Sequence, residues 1–186
     1  MDRVILASAS PRRRELLQLI FHEFEVIPTD CDETLPIGVD VKDIAQIIAQ
    51  RKNEALGDVD SETLVISCDT IVTIDDVVLG KPNDRNDAEK MLRLLSNRTH
   101  QVISGVCLRY NGKVKSFSQI TDVSFYELSD AEIFEYIDSD EPYDKAGGYG
   151  IQGAASLFVR QICGDYFNIV GLPVARLKKE IKALVG

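Results

Sequence analysis

The dipeptide Asn111-Gly112 constrains this chain more than any other feature of its sequence. It separates two long β-prone stretches, Gln101 to Tyr110 and Lys113 to Phe125. Asn-Gly readily takes the positive φ angles of a two-residue hairpin turn, so these stretches pair antiparallel and an all-parallel sheet is excluded. Elsewhere short β-like runs alternate with helix-like ones. Arg3 to Ala7, Phe24 to Pro28, Thr63 to Ile74 (bending or ending around Asp69) and Val77 to Leu79 read as strands, with Asp75-Asp76 as a tight turn. Ser10 at the N-cap and Pro11 at the first helical position open a helix to about Ile20. Val41 to Leu56 is a helix stopped by Gly57, with Ile44, Ala45, Ile47 and Ile48 as its apolar stripe. Further helices span Asp84 to Leu95, Ser129 to Ile137 (Ser129 and Glu132 have capping-box spacing) and Pro173 to Val185. Leu157 to Ile162 and Tyr166 to Val170 read as strands around Gly164. The predicted class is α/β with a mixed sheet.

With 186 residues, 45% hydrophobic and 27% charged, the chain can bury a core without metal or disulfide staples. It suits one domain, or two lobes sharing one sheet. The four cysteines, Cys31, Cys68, Cys107 and Cys163, are widely spaced and form no C-x-x-C pair, which argues against a zinc site or a secreted disulfide framework. Charged Arg12, Arg13 and Arg14 follow only a few apolar residues, unlike a signal peptide, and no apolar run approaches a membrane span. A cytoplasmic protein with no membrane partner is expected. The net charge of -9 also opposes non-specific binding to nucleic acid. An acidic protein that handles a polyanion must gather its cations locally.

Four constellations carry chemistry. Ser8-Ala9-Ser10-Pro11-Arg12-Arg13-Arg14 lies between a strand end and a helix start, where free N–H groups, hydroxyls and guanidinium groups suit an anion. Cations in a first helical turn oppose the dipole, so three there call for a compensating anion. The competing reading is a solvated helix start with capping serines. Asp69 interrupts the apolar run Leu64 to Val72, and a carboxylate there needs a partner or a metal. It suits a metal ligand or a water-activating group; the competing reading is an edge bend with a solvent-facing aspartate. Glu33, in the acidic loop Asp30-Cys31-Asp32-Glu33, is a second candidate ligand. Lys52 continues the Ile44–Ile48 row and so points inward, and Lys81 sits in the constrained Gly80-Lys81-Pro82. Either lysine alone also reads as a surface group.

The fourth stretch runs from Tyr143 to Gly153. Its Gly148, Gly150 and Gly153 match G-x-G-x-x-G, but an acidic turn precedes them and a β-like run follows, so this is no dinucleotide fingerprint. The glycines are read instead as letting backbone approach a ligand, with Gln152 presenting its amide. No P-loop pattern occurs. Asn97-Arg98-Thr99 is a glycosylation match with no secretory route, and His22 and His100 share no motif with a nucleophile.

Taken together, Leu6-Ala7-Ser8-Ala9-Ser10-Pro11-Arg12-Arg13, Cys68-Asp69-Thr70-Ile71-Val72, Gly80-Lys81-Pro82, Thr99-His100-Gln101-Val102, Asp144-Lys145-Ala146-Gly147, Tyr149-Gly150-Ile151-Gln152-Gly153 and Val170-Gly171-Leu172-Pro173 resemble, in order, the motifs of the Maf-like nucleotide pyrophosphatases. The resemblance implies a single domain over 1–186, a two-lobed α/β fold around a long mixed sheet similar to inosine-triphosphatase-like enzymes, with a nucleotide cleft between the lobes. It implies hydrolysis of a nucleoside triphosphate to the monophosphate and pyrophosphate. It casts Asp69 as proton acceptor, Ser8, Arg13, Lys52 and Lys81 as phosphate contacts, and Glu33 with Asp69 as ligands of a divalent metal cation, Mg²⁺ or Mn²⁺. Arg12, Thr70 and Gln152 match the dTTP/UTP type. A carboxamide can accept from the pyrimidine N3–H while donating to a ring carbonyl, whereas relatives acting on 7-methyl-GTP resemble one another in carrying glutamate there. The chain departs from the pattern at Ser67-Cys68, where Gly or Ala is usual. A nucleotide-binding regulator of septum formation with little turnover, and a phosphatase releasing inorganic phosphate, are the alternatives. A homodimer is compatible with the sequence.

Overall fold

The computed structural model describes residues 2–186. Its element order is β1 (Arg3–Ala7), α1 (Pro11–Leu17), β2 (Glu25–Val26), α2 (Val41–Ala55), β3 (Thr63–Ile74), β4 (Val77–Leu79), α3 (Arg85–Leu95), β5 (Thr99–Tyr110), β6 (Lys113–Phe125), α4 (Asp130–Ile137), β7 (Val159–Cys163), α5 (Tyr166–Val170) and α6 (Val174–Val185). Three short 3-10 turns, Pro142–Asp144, Ala146–Gly148 and Ala154–Phe158, lie between α4 and β7. The seven strands form one sheet in the order β2-β1-β3-β5-β6-β7, with β4 also on β3. β1 runs parallel to β2 and β3, while β4 on β3 and β7 on β6 are antiparallel, so the sheet is mixed as expected.

Local chemistry sets most of the boundaries. Ser10 caps α1 by accepting the Arg13 N–H, and Pro11 takes the first turn. α1 then ends at Leu17, and tighter turns carry the chain to Ile20. Ser129 and Glu132 form a complete capping box on α4. Asp75 and Asp76 both take positive φ in the β3–β4 turn, as do Asn111 and Gly112 between β5 and β6.

Three expectations are corrected. Tyr166 to Val170 is a helix, not a strand. Asp165 accepts the Phe167 N–H at 2.9 Å in its first turn, and the Asn168 amide is buried where it donates to the Val102 carbonyl and the Thr121 hydroxyl. These bonds override the β-prone composition of a five-residue run. The strand expected over Phe24 to Pro28 shrinks to Glu25–Val26, and β7 begins at Val159 because Ala154–Phe158 is a 3-10 turn.

The chain forms two compact units. The first comprises Met1–Asp69, Ser104–Gln119 and Gly171–Gly186; the second comprises Thr70–Ile103 and Ile120–Val170. Within the first, Leu6, Leu17, Ile48, Leu64, Ile66, Leu108 and Leu177 are buried. Within the second, Val72, Leu92, Phe125, Ile133, Ile137 and Phe158 belong to one core cluster. Each fully buried side chain of this size stabilises its unit by roughly 1.5–3 kcal/mol. No helix among the described residues is long and apolar enough to cross a membrane.

Candidate active site

Helix α2 places the first functional group. Asp40 caps it, and Ile44, Ala45, Ile48 and Ala49 form its buried stripe. Lys52 and Asn53 continue that stripe and are also buried. The helix lies directly on β5 at Gly105, where a Cβ would fall 2.1 Å from the Gln46 nitrogen, so only glycine admits this approach. The Asn53 amide donates to the Ser67 hydroxyl and to the Cys107 carbonyl, each at 3.2 Å. Ser67 donates to the Ala49 carbonyl at 2.6 Å. These buried bonds fix the register of α2 against β3 and bring Lys52 to Asp69, two residues beyond Ser67. The unusual Ser67 therefore has a structural role.

Lys52 Nζ lies 2.7 Å from Asp69 Oδ1 and 3.0 Å from Glu33 Oε1. The Lys52 and Asp69 side chains are 10% and 13% exposed, whereas Glu33 is 61% exposed. Burial alone would depress the Lys52 ammonium. The charge of Asp69 and its hydrogen bond, with a smaller contribution from Glu33, outweigh that burial and the repulsion of Arg13, so the pKa is raised. Lys52 is thus a fixed cation. Asp69 is not at an edge bend: β3 runs unbroken through it, and the carboxylate is accommodated because its partner arrives from α2.

A second cation belongs to the same unit. β1 pairs with β3 in a register that sets Ala7 opposite Ser67, so the loop starting at Ser8 begins beside the Asp69 segment. Arg13 donates from Nε to the Gly171 carbonyl at 3.0 Å and from Nη1 to the Ser8 hydroxyl at 3.3 Å. The Cys68 thiol donates to the same Gly171 carbonyl at 3.2 Å. Gly171 therefore ties the guanidinium to the residue preceding Asp69. The Ser8 and Ser10 hydroxyls accept the N–H groups of Ser10 and Arg13, so two donors expected to be open to an anion are already used locally. Arg12 is half-buried on α1.

Ser8, Arg13, Glu33, Lys52 and Asp69 all lie in the first unit; Thr70, Lys81 and Gln152 lie in the second. Thr70 is half-buried on β3, and Lys81 and Gln152 are exposed. The Lys81 backbone is held on both sides. The Gly80 carbonyl accepts the Gly147 N–H at 2.9 Å, and Pro82 packs against Gly148. The glycines of this stretch were expected to admit a ligand, but protein side chains fill the space. A Cβ on Gly147 would meet Val72, on Gly150 Lys145, and on Gly153 Glu141. His100, read as structural or exposed, is structural. It is buried, bonds Tyr149 Oη at 2.7 Å and packs edge-on against Phe125 and Tyr149; burial lowers its pKa to about 4.

The carboxylates fit a divalent cation in one respect. The Glu33 and Asp69 oxygens converge on a single positive charge, and oxygen donors suit a hard ion. Among the described residues no group of three or more His, Cys, Asp or Glu converges as a metal cage. Two carboxylates with substrate phosphates and water make up a common set for Mg²⁺.

A family profile described as Maf-like protein matches residues 3–184. The chain belongs to that family. The Maf-like relatives include a dTTP/UTP pyrophosphatase of Bacillus cereus, 45% identical over 98% of this chain and 95% of its own length. Another, also named dTTP/UTP pyrophosphatase, comes from Bacillus cytotoxicus and is 47% identical over the same shares. A HAM1 protein from Coxiella burnetii has a similar fold, with a TM-score of 0.53 at 18% identity, covering 98% of this chain and 100% of that one. Sequence reasoning missed Asn53, and gave Gly171 only as part of a motif, without its role in holding Arg13. Polar Asn53 on a buried helix face, and Gly105 inside a strand, were the signals available for the clamp on α2.

Proposed function

We propose that this Maf-like protein hydrolyses dTTP and UTP, and modified uridine triphosphates of the same base edge, to the monophosphate and pyrophosphate in the cytoplasm. The observation that carries the proposal is the cluster Glu33–Lys52–Asp69, in which a buried ammonium and two carboxylates share one place. The names of the relatives, dTTP/UTP pyrophosphatase, agree with it.

In this reading Asp69 orients the attacking water and accepts its proton as the bond to the α-phosphorus forms. Negative charge then builds on the departing pyrophosphate, where Lys52, Arg13 and Lys81 stabilise it and Ser8 hydrogen-bonds a phosphate oxygen. Lys52 is suited to that task because its raised pKa keeps it charged. Glu33 and Asp69 would hold Mg²⁺ or Mn²⁺, which when bound supplies further neutralisation of the triphosphate. Gln152 reads the base through its amide, with Thr70 and Arg12 completing the choice of dTTP and UTP. A regulator that only binds nucleotide gains nothing from two carboxylates facing a polyanion, so catalysis is the favoured reading.

The test incubates the protein with a nucleotide panel and Mg²⁺ or Mn²⁺ and separates pyrophosphate from phosphate. Pyrophosphate from UTP and dTTP, with little from CTP or GTP, is expected. Orthophosphate as the released product would replace this reading with a phosphatase.

A further inference from the structure

Gln152 is exposed, yet the turn that presents it is tightly held from beneath. Glu141 lies 11 residues earlier in sequence, at the start of a 3-10 turn. One of its carboxylate oxygens accepts the Ala154 N–H at 3.1 Å, and the other accepts the Tyr136 hydroxyl at 3.3 Å. The Tyr136 oxygen in turn accepts the Gly150 N–H at 3.3 Å. Both ends of the segment 150–154 are therefore fastened to one carboxylate, at one end directly and at the other through a tyrosine. Between them, Ile151 is buried and the Gly153 N–H closes the turn on the Gly150 carbonyl at 3.1 Å. Gln152 is thus displayed between fixed points.

The glycines show that the carboxylate comes close by design of the backbone. A Cβ on Gly153 would stand 1.9 Å from Glu141 Oε1, so nothing larger fits while the carboxylate keeps its place. Lys145 adds a second tie by donating to the Glu141 carbonyl at 2.6 Å. Tyr136 is buried and stacks edge-on against Phe158, so the hydroxyl relaying the bond to Gly150 stands on a core residue. A carboxylate that accepts two hydrogen bonds holds its donors in place more firmly than a neutral acceptor would.

We propose that Glu141 is the positioning residue for base recognition, its carboxylate fixing the turn that aims the Gln152 amide at the pyrimidine edge. The inference rests on the base-reading role proposed for Gln152. A carboxamide reaches N3–H and a ring carbonyl together only when its backbone stands at the right distance from the base edge, and the bonds that hold 150–154 set that distance.

A double-mutant cycle on the full chain tests this, with UTP and CTP as paired substrates and thermal unfolding followed alongside. E141A is expected to lower the UTP:CTP ratio of kcat/KM about 10-fold, mainly through KM for UTP. E141Q keeps the shape and an acceptor and is expected to restore most of the ratio. In a Q152A background E141A should have no further effect on the ratio, because the residue it acts through is gone. If Q152A keeps the wild-type ratio, the base-reading role is wrong and this inference falls with it. If Q152A loses the ratio while E141A keeps it, or E141A slows UTP and CTP equally, only the positioning role is overturned. Should E141A fail to fold, Y136F, which keeps the packed ring, carries the same expectation at smaller size.

Discussion

The two units use their polar residues in opposite ways. In the first, the groups proposed for chemistry are bonded to one another: Lys52 to Asp69 and Glu33, and Arg13 to Ser8. In the second, Lys81 and Gln152 are exposed, and the bonding is in the scaffold beneath, through Gly80, Tyr136 and Glu141. Desolvation strengthens the pairing of charges, as at Lys52 and Asp69, whose side chains are largely withdrawn from solvent. A base reader must keep its donors and acceptors open, so only its backbone can be secured. Of the residues proposed for the reaction, all but Lys81 fall in the first unit, and of those proposed for substrate choice, all but Arg12 fall in the second.

The sharpest way to break this contrast is at Asp69. Asp69→Asn should reduce kcat by about 100-fold or more, the usual size of an acid–base contribution, measured as pyrophosphate release from UTP. A folded D69N protein with near-wild-type turnover would remove the chemical role from the first unit. In the second unit the largest expected effect concerns stability. His100 takes its proton near pH 4 when folded and near 6.5 when unfolded, so the unfolded state binds more protons between those values. Stability should fall by about 3 kcal/mol as pH drops through that window and then level off. Urea titrations at several pH values should show this component in the wild type and lose it in H100Q. Gln152→Glu should change the UTP:CTP preference about 10-fold with a smaller effect on kcat; an unchanged substrate profile would count against base reading. The smallest effect is expected at Lys81, an exposed cation, where Lys81→Ala should raise KM roughly 3- to 5-fold. Lys52→Ala should cost considerably more, because it strands the largely buried Asp69 carboxylate. Equal losses at the two lysines would erase the distinction between the units.

Much of this was legible where the signal is local. Asn111-Gly112, Asp75-Asp76, the Ser10-Pro11 start and the Ser129–Glu132 box each act over a few residues and were read correctly. Lys52 could be turned inward because it continues a four-residue helical row. The failures lie where a distant partner decides. Tyr166 to Val170 has strand composition, and what makes it a helix includes bonds from Asn168 to Val102 and Thr121, far away in sequence. An unbroken β3 through Asp69 depends on an ammonium from α2. The glycines after Lys145 looked like room for a ligand because the side chains that occupy the space, Val72 at Gly147 and Glu141 at Gly153 among them, are distant in sequence. The roles carried by family resemblance, at Thr70 and Arg12 above all, are not implied by any contact pattern readable from the chain alone.

The clamp of Asn53 and Ser67 has a mechanical consequence. A helix bolted to its strand by buried amide and hydroxyl bonds cannot slide to meet a ligand without stranding those groups away from water. Lys52 and Asp69 both stand on the bolted parts, whereas Glu33 stands on a segment with no regular structure and is largely open to solvent. In the proposed site, adjustment to an incoming polyphosphate would therefore fall to Glu33, the one jaw of a vice that breaks no buried bond when it shifts.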